Sequence, residues 1–142
     1  MILLASGLLS TPAIGQTIHW KSYAAGVREA KAQDKKIFLH FMTQWCGYCK
    51  QMNRVTFQDD EVIEYLNRYF VSIKVDGDQE KDLAEKYKVT GFPDNRFLDS
   101  DMNQAYKLPG FADPMVFRFF MEYVQTDSYK TMDPMGYYRS KQ

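Results

Sequence analysis

Short apolar runs, separated by charged and turn-forming residues, divide the chain into alternating helices and strands. Ser22 can cap a helix whose apolar positions, Tyr23, Val27 and Ala30, follow helical spacing. The run IFLHF, at residues 37–41, is rich in β-formers, bounded by charge and too short for a helix. The pattern therefore predicts a helix followed by a buried strand.

The middle of the chain repeats this alternation. KQMNRVTF, at residues 50–57, is predicted to be helical, and Asp59 or Asp60 can cap a further helix. The segment FVSIKVD, Phe70 to Asp76, alternates between apolar and polar residues and predicts a second core strand. Residues 80–87 then predict a short helix.

The last third of the chain predicts two strands and a closing helix. The strands are NRFLD, residues 95–99, and AYKLPG, residues 105–110. Asp113 and Pro114 supply a cap and a first-turn proline for the helix, whose predicted apolar face comprises Val116, Phe119, Phe120, Tyr123 and Val124. Residues 126–142 are polar with scattered tyrosine and methionine, and we expect a flexible C-terminal tail there.

Together these elements predict one α/β domain over residues 16–125, with a central mixed β-sheet flanked by helices. A content of 45% hydrophobic and 25% charged residues is typical of a folded domain. The 18 basic side chains equal the 18 acidic ones, so we expect no nucleic-acid partner. No stretch approaches the roughly 20 apolar residues of a membrane span.

Residues 1–15 differ from the rest of the chain in composition. The apolar run Ile2 to Leu9 is followed by small and turn-forming residues, and Ala13-Ile14-Gly15 resembles a small-x-small cleavage site. The pattern predicts a secretory signal peptide, although the basic segment that usually precedes the apolar run is missing. We therefore expect a periplasmic or otherwise exported protein.

Both cysteines lie in TQWCGYCKQM, as Cys46 and Cys49. Two thiols at this spacing could ligate a metal, staple a loop or exchange electrons with another disulfide. A disulfide across only two intervening residues restricts the unfolded chain little, so added stability is a poor explanation for the presence of this pair. Structural zinc usually takes four protein ligands, and the chain has only two cysteines and two histidines. We expect no metal site within one chain; zinc would require a second copy.

The pair follows a predicted strand and opens a predicted helix. Cys46 should therefore face unpaired backbone N–H groups and the positive end of the helix dipole, which lower the pKa of a cysteine. Cys49, one turn later, should be less exposed and keep a higher pKa. This asymmetry predicts that Cys46 attacks a disulfide and Cys49 resolves the mixed disulfide. Gly47 and Tyr48 let the chain turn and tune the reduction potential.

Two segments carry a family resemblance. FLHFMTQWCGYC resembles the strand and active-site segment of the thioredoxin family, in which a tryptophan, here Trp45, precedes the cysteine pair. KVTGFPDNRFLD supplies the second landmark, a cis-proline loop, at Gly91, Phe92 and Pro93. DDEVIEYLNRYFVSIKVD is similar to segments of compact periplasmic members. The resemblance covers roughly residues 20–125 and implies a thioredoxin-like fold.

The resemblance implies roles for these residues in substrate binding. Trp45 would shield the disulfide and shape the contact surface. Pro93, if cis, would set its loop, with Gly91, against Cys46, and Phe92 would offer backbone groups to an extended substrate strand. The alternatives are a core tryptophan and an ordinary turn proline.

Three positions depart from the family pattern. His40 occupies the place of a buried acidic residue, where it is either a proton acceptor for Cys49 or a satisfied core histidine. Asp94 follows the proline in place of a small hydroxyl residue, and its charge would oppose a thiolate if it pointed inward. Phe92 is bulkier than usual and could narrow substrate choice.

The implied function is a thiol–disulfide oxidoreductase that acts on protein thiols and disulfides and uses no cofactor beyond the redox-active Cys46–Cys49 disulfide. We favour a monomeric reductase that receives electrons from a membrane-bound donor. A disulfide oxidase or isomerase is the first alternative. The second is a non-catalytic thioredoxin-fold module that binds a peptide or partner subunit.

Overall fold

The predicted strands and helices occur in the predicted order, and the structure adds a short first strand, Trp20–Lys21, and a C-terminal helix, Pro134–Ser140. The computed structural model describes residues 16–142, so the predicted signal peptide lies outside the described residues. The strands are β1 (Trp20–Lys21), β2 (Lys36–Met42), β3 (Phe70–Asp76), β4 (Asp94–Leu98) and β5 (Gln104–Pro109). The helices are α1 (Tyr23–Gln33), α2 (Gly47–Arg54), α3 (Asp60–Tyr69), α4 (Lys81–Lys86), α5 (Pro114–Gln125) and α6 (Pro134–Ser140), with short 3-10 turns at Thr56–Gln58 and Ser128–Lys130.

The five strands form one mixed sheet in the order β1-β3-β2-β4-β5. β3 runs parallel to both β1 and β2, whereas β4 is antiparallel to β2 and β5 is antiparallel to β4. The predicted mixed sheet flanked by helices is thus confirmed.

The two faces of β2 bury different halves of the core, because side chains alternate across a strand. Phe38 and His40 lie on the face that α2, α3 and α5 cover, in a cluster with Met52, Leu66 and Phe117. Ile37, Leu39 and Phe41 lie on the opposite face with residues of α1 and α4. Within residues 16–142, no helix is long and apolar enough to cross a membrane.

Side-chain caps begin the helices at the predicted residues. The Ser22 hydroxyl accepts from the N–H of Ala25, the Asp59 carboxylate from Val62, and the Asp113 carboxylate from Val116. Each cap satisfies a backbone donor that the first turn of a helix leaves unpaired.

The predicted inner face of α5 is partly wrong. Phe117 and Met121 are fully buried, whereas Val116 is 37% exposed and Phe120 is half-buried. Phe117, Met121 and Val124 follow one helical stripe that meets the sheet. Phe120 lies beside this stripe, where its ring stacks on Tyr106 of β5 at 4.6 Å between ring centroids.

The C-terminal segment is not the flexible tail that its composition predicted. Residues 134–140 form α6, with Asp133 as its cap, and Tyr137 is buried in the core cluster. The Tyr137 ring lies 5.2 Å from Phe119 and 5.4 Å from Tyr123, and the Tyr123 hydroxyl donates to the carbonyl of Met132 at 2.7 Å. The aromatic residues of the C-terminal segment cover the part of α5 that does not contact the sheet. This explains why the otherwise polar segment packs against the domain.

Candidate active site

The cysteine pair lies where β2 ends and α2 begins. Cys46 is the N-cap of α2 and forms a disulfide with Cys49, with 5.2 Å between the two Cα atoms. The Cys46 sulfur also accepts the backbone N–H of Cys49 at 3.0 Å. The pair therefore has the predicted position after a buried strand and at a helix N-terminus, where a thiolate on Cys46 would be stabilised after reduction.

Both cysteines are buried in the disulfide form, whereas the residues beside them in the chain are exposed. Cys46 is 4% exposed and Cys49 1%, so the predicted difference in access is small in the disulfide form. Trp45 is 69% exposed and Tyr48 63%, and Gly47 is exposed as well. A partner reaching the Cys46 sulfur would therefore meet the side chains of Trp45 and Tyr48.

Trp45 is tied to two other loops. Its indole N–H donates to the carboxylate of Asp78, just after β3, at 2.8 Å, and its ring meets that of Phe92 edge-on at 6.2 Å between centroids. The Phe92 ring lies over Gly77, where a Cβ atom would come within 2.5 Å of it. Trp45, Asp78 and Phe92 are thus linked at the surface, with the buried Gly77 beneath the Phe92 ring; sequence reasoning missed Asp78 and Gly77.

The proline loop lies at the same end of the sheet as the cysteines. The Phe92–Pro93 peptide bond is cis, as expected, and the Pro93 carbonyl accepts the N–H of Gly110 at 2.8 Å. Asp94, the next residue, pairs with Phe41 near the end of β2. The loop that also contains Gly91 therefore flanks the segment that leads into α2.

The carboxylate of Asp94 does not point toward the thiols. It lies on the opposite sheet face from Asn95, because successive side chains of β4 alternate. Arg96 donates to it through two nitrogens, at 2.9 and 3.1 Å, and Lys107 lies 3.7 Å away. Asp94 and Arg96 are both buried and neutralise each other, so the inward-pointing charge considered from the sequence is absent.

His40 lies in the buried layer beneath α2. Its Nδ1 is 2.7 Å from Asn95 Oδ1, and its ring meets the edge of Phe57 at 4.9 Å between centroids. Burial, with a smaller contribution from Lys74, lowers the pKa of His40 to about 4, against the opposing effect of the Asn95 hydrogen bond. The ring is therefore neutral at neutral pH. Its Nε2 has no hydrogen-bond partner among the described residues.

The described part of the chain, residues 16–142, contains no group of three or more histidine, cysteine, aspartate or glutamate side chains placed to hold a metal ion.

Comparisons with known proteins give a consistent match over the domain. The family model described as a thioredoxin-like domain matches residues 23–125. The chain is 28% identical over 109 residues to disulfide bond reductase DsbH of Chlamydia pneumoniae, covering 68% of this chain and 66% of that protein. It is 31% identical over 93 residues to thiol:disulfide interchange protein DsbD of Yersinia pestis, covering 62% of this chain but 16% of that protein.

Among solved structures, a thioredoxin from Thermus thermophilus superimposes with a TM-score of 0.70 at 26% identity, covering 76% of this chain and 87% of that one. The chain thus spans slightly under two thirds of DsbH and a small part of DsbD. The family match includes both cysteines and the proline loop.

Proposed function

The chain belongs to the thioredoxin-like domain family, and from this membership we propose that it is a thiol–disulfide oxidoreductase that reduces disulfides of other proteins. The family match and the Cys46–Cys49 pair support the class of activity. The names of two relatives, a disulfide bond reductase and a thiol:disulfide interchange protein, describe the same class.

The observation that carries the proposal is the hydrogen bond from the Cys49 N–H to the Cys46 sulfur at the start of α2. In the reduced protein this donor and the helix dipole favour the Cys46 thiolate as the attacking group. The thiolate attacks one sulfur of a partner disulfide, a mixed disulfide forms and the other partner sulfur leaves. Cys49 then attacks Cys46, so the intramolecular disulfide forms and the second partner sulfur leaves. Two electrons pass from the cysteine pair to the partner, without a further cofactor.

The exposed loops around the disulfide supply the proposed binding surface. Trp45 and Phe92 present an apolar edge-to-face pair, and Gly91 leaves the loop before Pro93 open. An extended segment of the partner could lie along this loop and bond to the backbone of Phe92 by strand addition. Gly47 and Tyr48 would border the same segment from the α2 side.

We further propose that the protein works as a monomer in the periplasm or another exported compartment, after removal of residues 1–15, and that a membrane-bound donor returns electrons to it. The apolar run Ile2 to Leu9 supports export. Cell fractionation, with mass spectrometry of the mature N-terminus, tests this part. An intact N-terminus on cytosolic protein would contradict it.

A trapping experiment tests the reaction. The Cys49→Ser variant should accumulate mixed disulfides with its partners, because the resolving thiol is gone, whereas the matched Cys46→Ser variant should accumulate none. Mass spectrometry of the trapped species would identify the substrates. Full activity of Cys46→Ser in cells would instead favour a binding module, and equal trapping by both variants would contradict the assignment of Cys46 as the attacking thiol.

A separate measurement, the reduction potential, determines the direction of electron flow. Equilibration of the wild-type protein with glutathione gives the reduction potential of the Cys46–Cys49 pair. A value near about −270 mV supports a reductase, and a value near about −120 mV would replace that proposal with an oxidase.

A further inference from the structure

Asp94 and Arg96 form a buried ion pair directly after the proline loop. They are two positions apart in β4, so both side chains point to the sheet face that packs against α1 and α4. Arg96 Nε and Nη2 donate to the two carboxylate oxygens of Asp94, at 2.9 and 3.1 Å. Two parallel hydrogen bonds between a guanidinium and a carboxylate fix the mutual orientation of both groups. The Arg96 side chain is therefore held at a defined position beside the first residue of β4.

The same guanidinium reaches across to the end of α4. Its Cζ atom lies 5.6 Å from the centre of the Tyr87 ring, and Tyr87 is the residue at which α4 ends. A guanidinium is attracted to the face of an aromatic ring, and more strongly where water is excluded. Tyr87 is fixed in turn, because its hydroxyl lies 2.8 Å from that of Tyr23 and its ring packs 5.5 Å from that of Phe41. We call the chain of contacts Asp94–Arg96–Tyr87 the clasp.

The clasp joins the two ends of the loop that precedes β4. Residues 88–93 form this loop, and its backbone is hydrogen-bonded near both ends, at Val89 and Pro93. Between these ends, the backbone of three residues makes no hydrogen bond to other backbone groups within residues 16–142; they are Thr90, Gly91 and Phe92. Besides the packing of the Phe92 ring, the position of these three residues depends on how the two ends are held. Thr90 and Gly91 are exposed, which leaves their N–H and C=O groups open to an extended partner segment.

We propose that Arg96 is a positioning residue, which through the clasp holds residues 90–92 in the conformation that binds the partner protein. This inference rests on the proposed oxidoreductase function, in which the same loop receives an extended segment of the partner. A loop that is already ordered loses less conformational entropy when a strand is added to it, so the partner binds more tightly. Arg96 therefore contributes to the affinity for protein substrates.

The location of Arg96 separates this role from the chemistry of the sulfurs. Asn95, between Asp94 and Arg96, faces the layer that α2 covers and contacts Met52 there, whereas Arg96 faces the opposite side of the sheet. A small disulfide reagent also forms no strand along the proline loop. Loss of the clasp should therefore leave the attack of Cys46 on a small disulfide unchanged.

Backbone ¹⁵N relaxation tests whether the clasp orders the loop. The double variant Asp94→Leu/Arg96→Leu removes both charges together, so neither is left buried and unpaired. A leucine side chain is also too short to replace the guanidinium over Tyr87. We expect order parameters near about 0.85 for residues 90–92 in the wild type, and values that fall towards about 0.6 in the double variant. This measurement does not depend on enzymatic activity.

The Arg96→Lys variant covers the case in which the double variant does not fold. It keeps a positive charge beside Asp94, but it loses the two-nitrogen fork and the planar group over Tyr87. The order parameters of residues 90–92 should fall in this variant as well, by a smaller amount. Order parameters equal to those of the wild type in a folded variant without the clasp would overturn the inference.

Reduction of insulin, with dithiothreitol as the source of electrons, tests the effect on partner binding. In the double variant we expect KM for insulin to rise about 5-fold or more with kcat unchanged, because the partner must now order the loop. The rate at which the reduced protein reacts with dithiobis-nitrobenzoate, a small disulfide, should stay within about twofold of the wild-type rate. A general loss of structure would slow both reactions, so this difference separates positioning from stability.

Lys107→Gln is the matched control. Lys107 Nζ lies 3.7 Å from the same Asp94 carboxylate, but this side chain is 36% exposed and belongs to β5, so it does not join the two ends of the loop. Its loop order parameters and its KM should equal those of the wild type.

Two failures of this experiment are distinguishable. If the loop loses order in the double variant but KM for insulin stays within about twofold, the role of Arg96 in partner binding is wrong. If the wild type reacts with neither insulin nor dithiobis-nitrobenzoate, the oxidoreductase proposal fails, whereas the relaxation data still decide whether Arg96 holds the loop.

Discussion

The indole N–H of Trp45 donates to the carboxylate of Asp78 at 2.8 Å, although 33 positions separate the two residues. This bond connects the residue before the cysteine pair to the loop after β3. It holds the large exposed ring of Trp45 beside Phe92, on the surface that we assign to partner binding. The orientation of Trp45 is therefore set by a loop outside the cysteine motif.

Removing the Asp78 carboxylate should weaken partner binding but should change the stability of the fold only slightly. In Asp78→Ala we expect KM for a disulfide-bonded protein substrate to rise about two- to five-fold, because the Trp45 ring becomes free to turn away. The free energy of unfolding should change by less than about 0.5 kcal/mol, since both side chains are exposed. Steady-state kinetics and urea denaturation measure the two effects. Asp82→Ala, in α4, is the control; an equal rise in its KM would contradict the assignment.

Stability should depend on pH through His40. Its pKa is about 4 in the folded protein, below the unfolded value of about 6.5, so the unfolded chain binds more protons between these values. The free energy of unfolding should therefore rise from pH 4 to pH 6.5, with a contribution of about 3 kcal/mol from this ring.

Urea denaturation across this range checks the expected slope. His40→Leu should lose most of the rise attributed to the ring, whereas His19→Gln should keep it, because His19 is exposed. Identical pH profiles for the wild type and His40→Leu would show that other groups control acid stability.

Phe117 and Phe120, two of the three phenylalanines of α5, should differ in their contribution to stability. Phe117 is fully buried, so Phe117→Ala should lower the free energy of unfolding by about 3–5 kcal/mol. Phe120 is half-buried against Tyr106, and Phe120→Ala should cost about half as much. Chemical denaturation of the disulfide form gives both values. A larger loss of stability for Phe120→Ala than for Phe117→Ala would support the inner face of α5 that was predicted from the sequence.

The C-terminal helix offers a matched pair of neighbouring tyrosines. Tyr137 is buried against Phe119 and Tyr123, so Tyr137→Ala should destabilise the protein by about 2–4 kcal/mol. Tyr138 is 52% exposed, and Tyr138→Ala should change stability by less than about 1 kcal/mol. Thermal unfolding compares the two, and limited proteolysis should cut the Tyr137→Ala variant near α6. Equal stability of both variants would mean that α6 adds little to the core.

Local chemistry explains which parts of the fold could be predicted from the sequence. Ser22, Asp59 and Asp113 cap helices through hydrogen bonds to residues three positions away, so the necessary information is local. The strand Phe70–Asp76 was predicted with its observed bounds, because its apolar and polar residues alternate. The cysteine pair and the cis-proline loop were found from two short motifs on the expected elements.

The missed features depend on contacts between distant segments. α5 is apolar on most of its surface, so periodicity could not distinguish Phe117 from Phe120. The docking of Tyr137 requires the aromatic surface of α5, which a polar C-terminal composition does not reveal. Asn95 was noticed only as part of a strand, since its pairing with His40 follows from the register between β2 and β4.

The contact between the Phe92 ring and Gly77 links two positions that are 15 residues apart in the chain. Any side chain at 77 would compete with the ring for the same space, so homologues with a larger residue there are expected to have a smaller one at 92. Positions 77 and 92 should therefore covary. Redesigning the loop to accept bulkier binding partners would require changing both positions together.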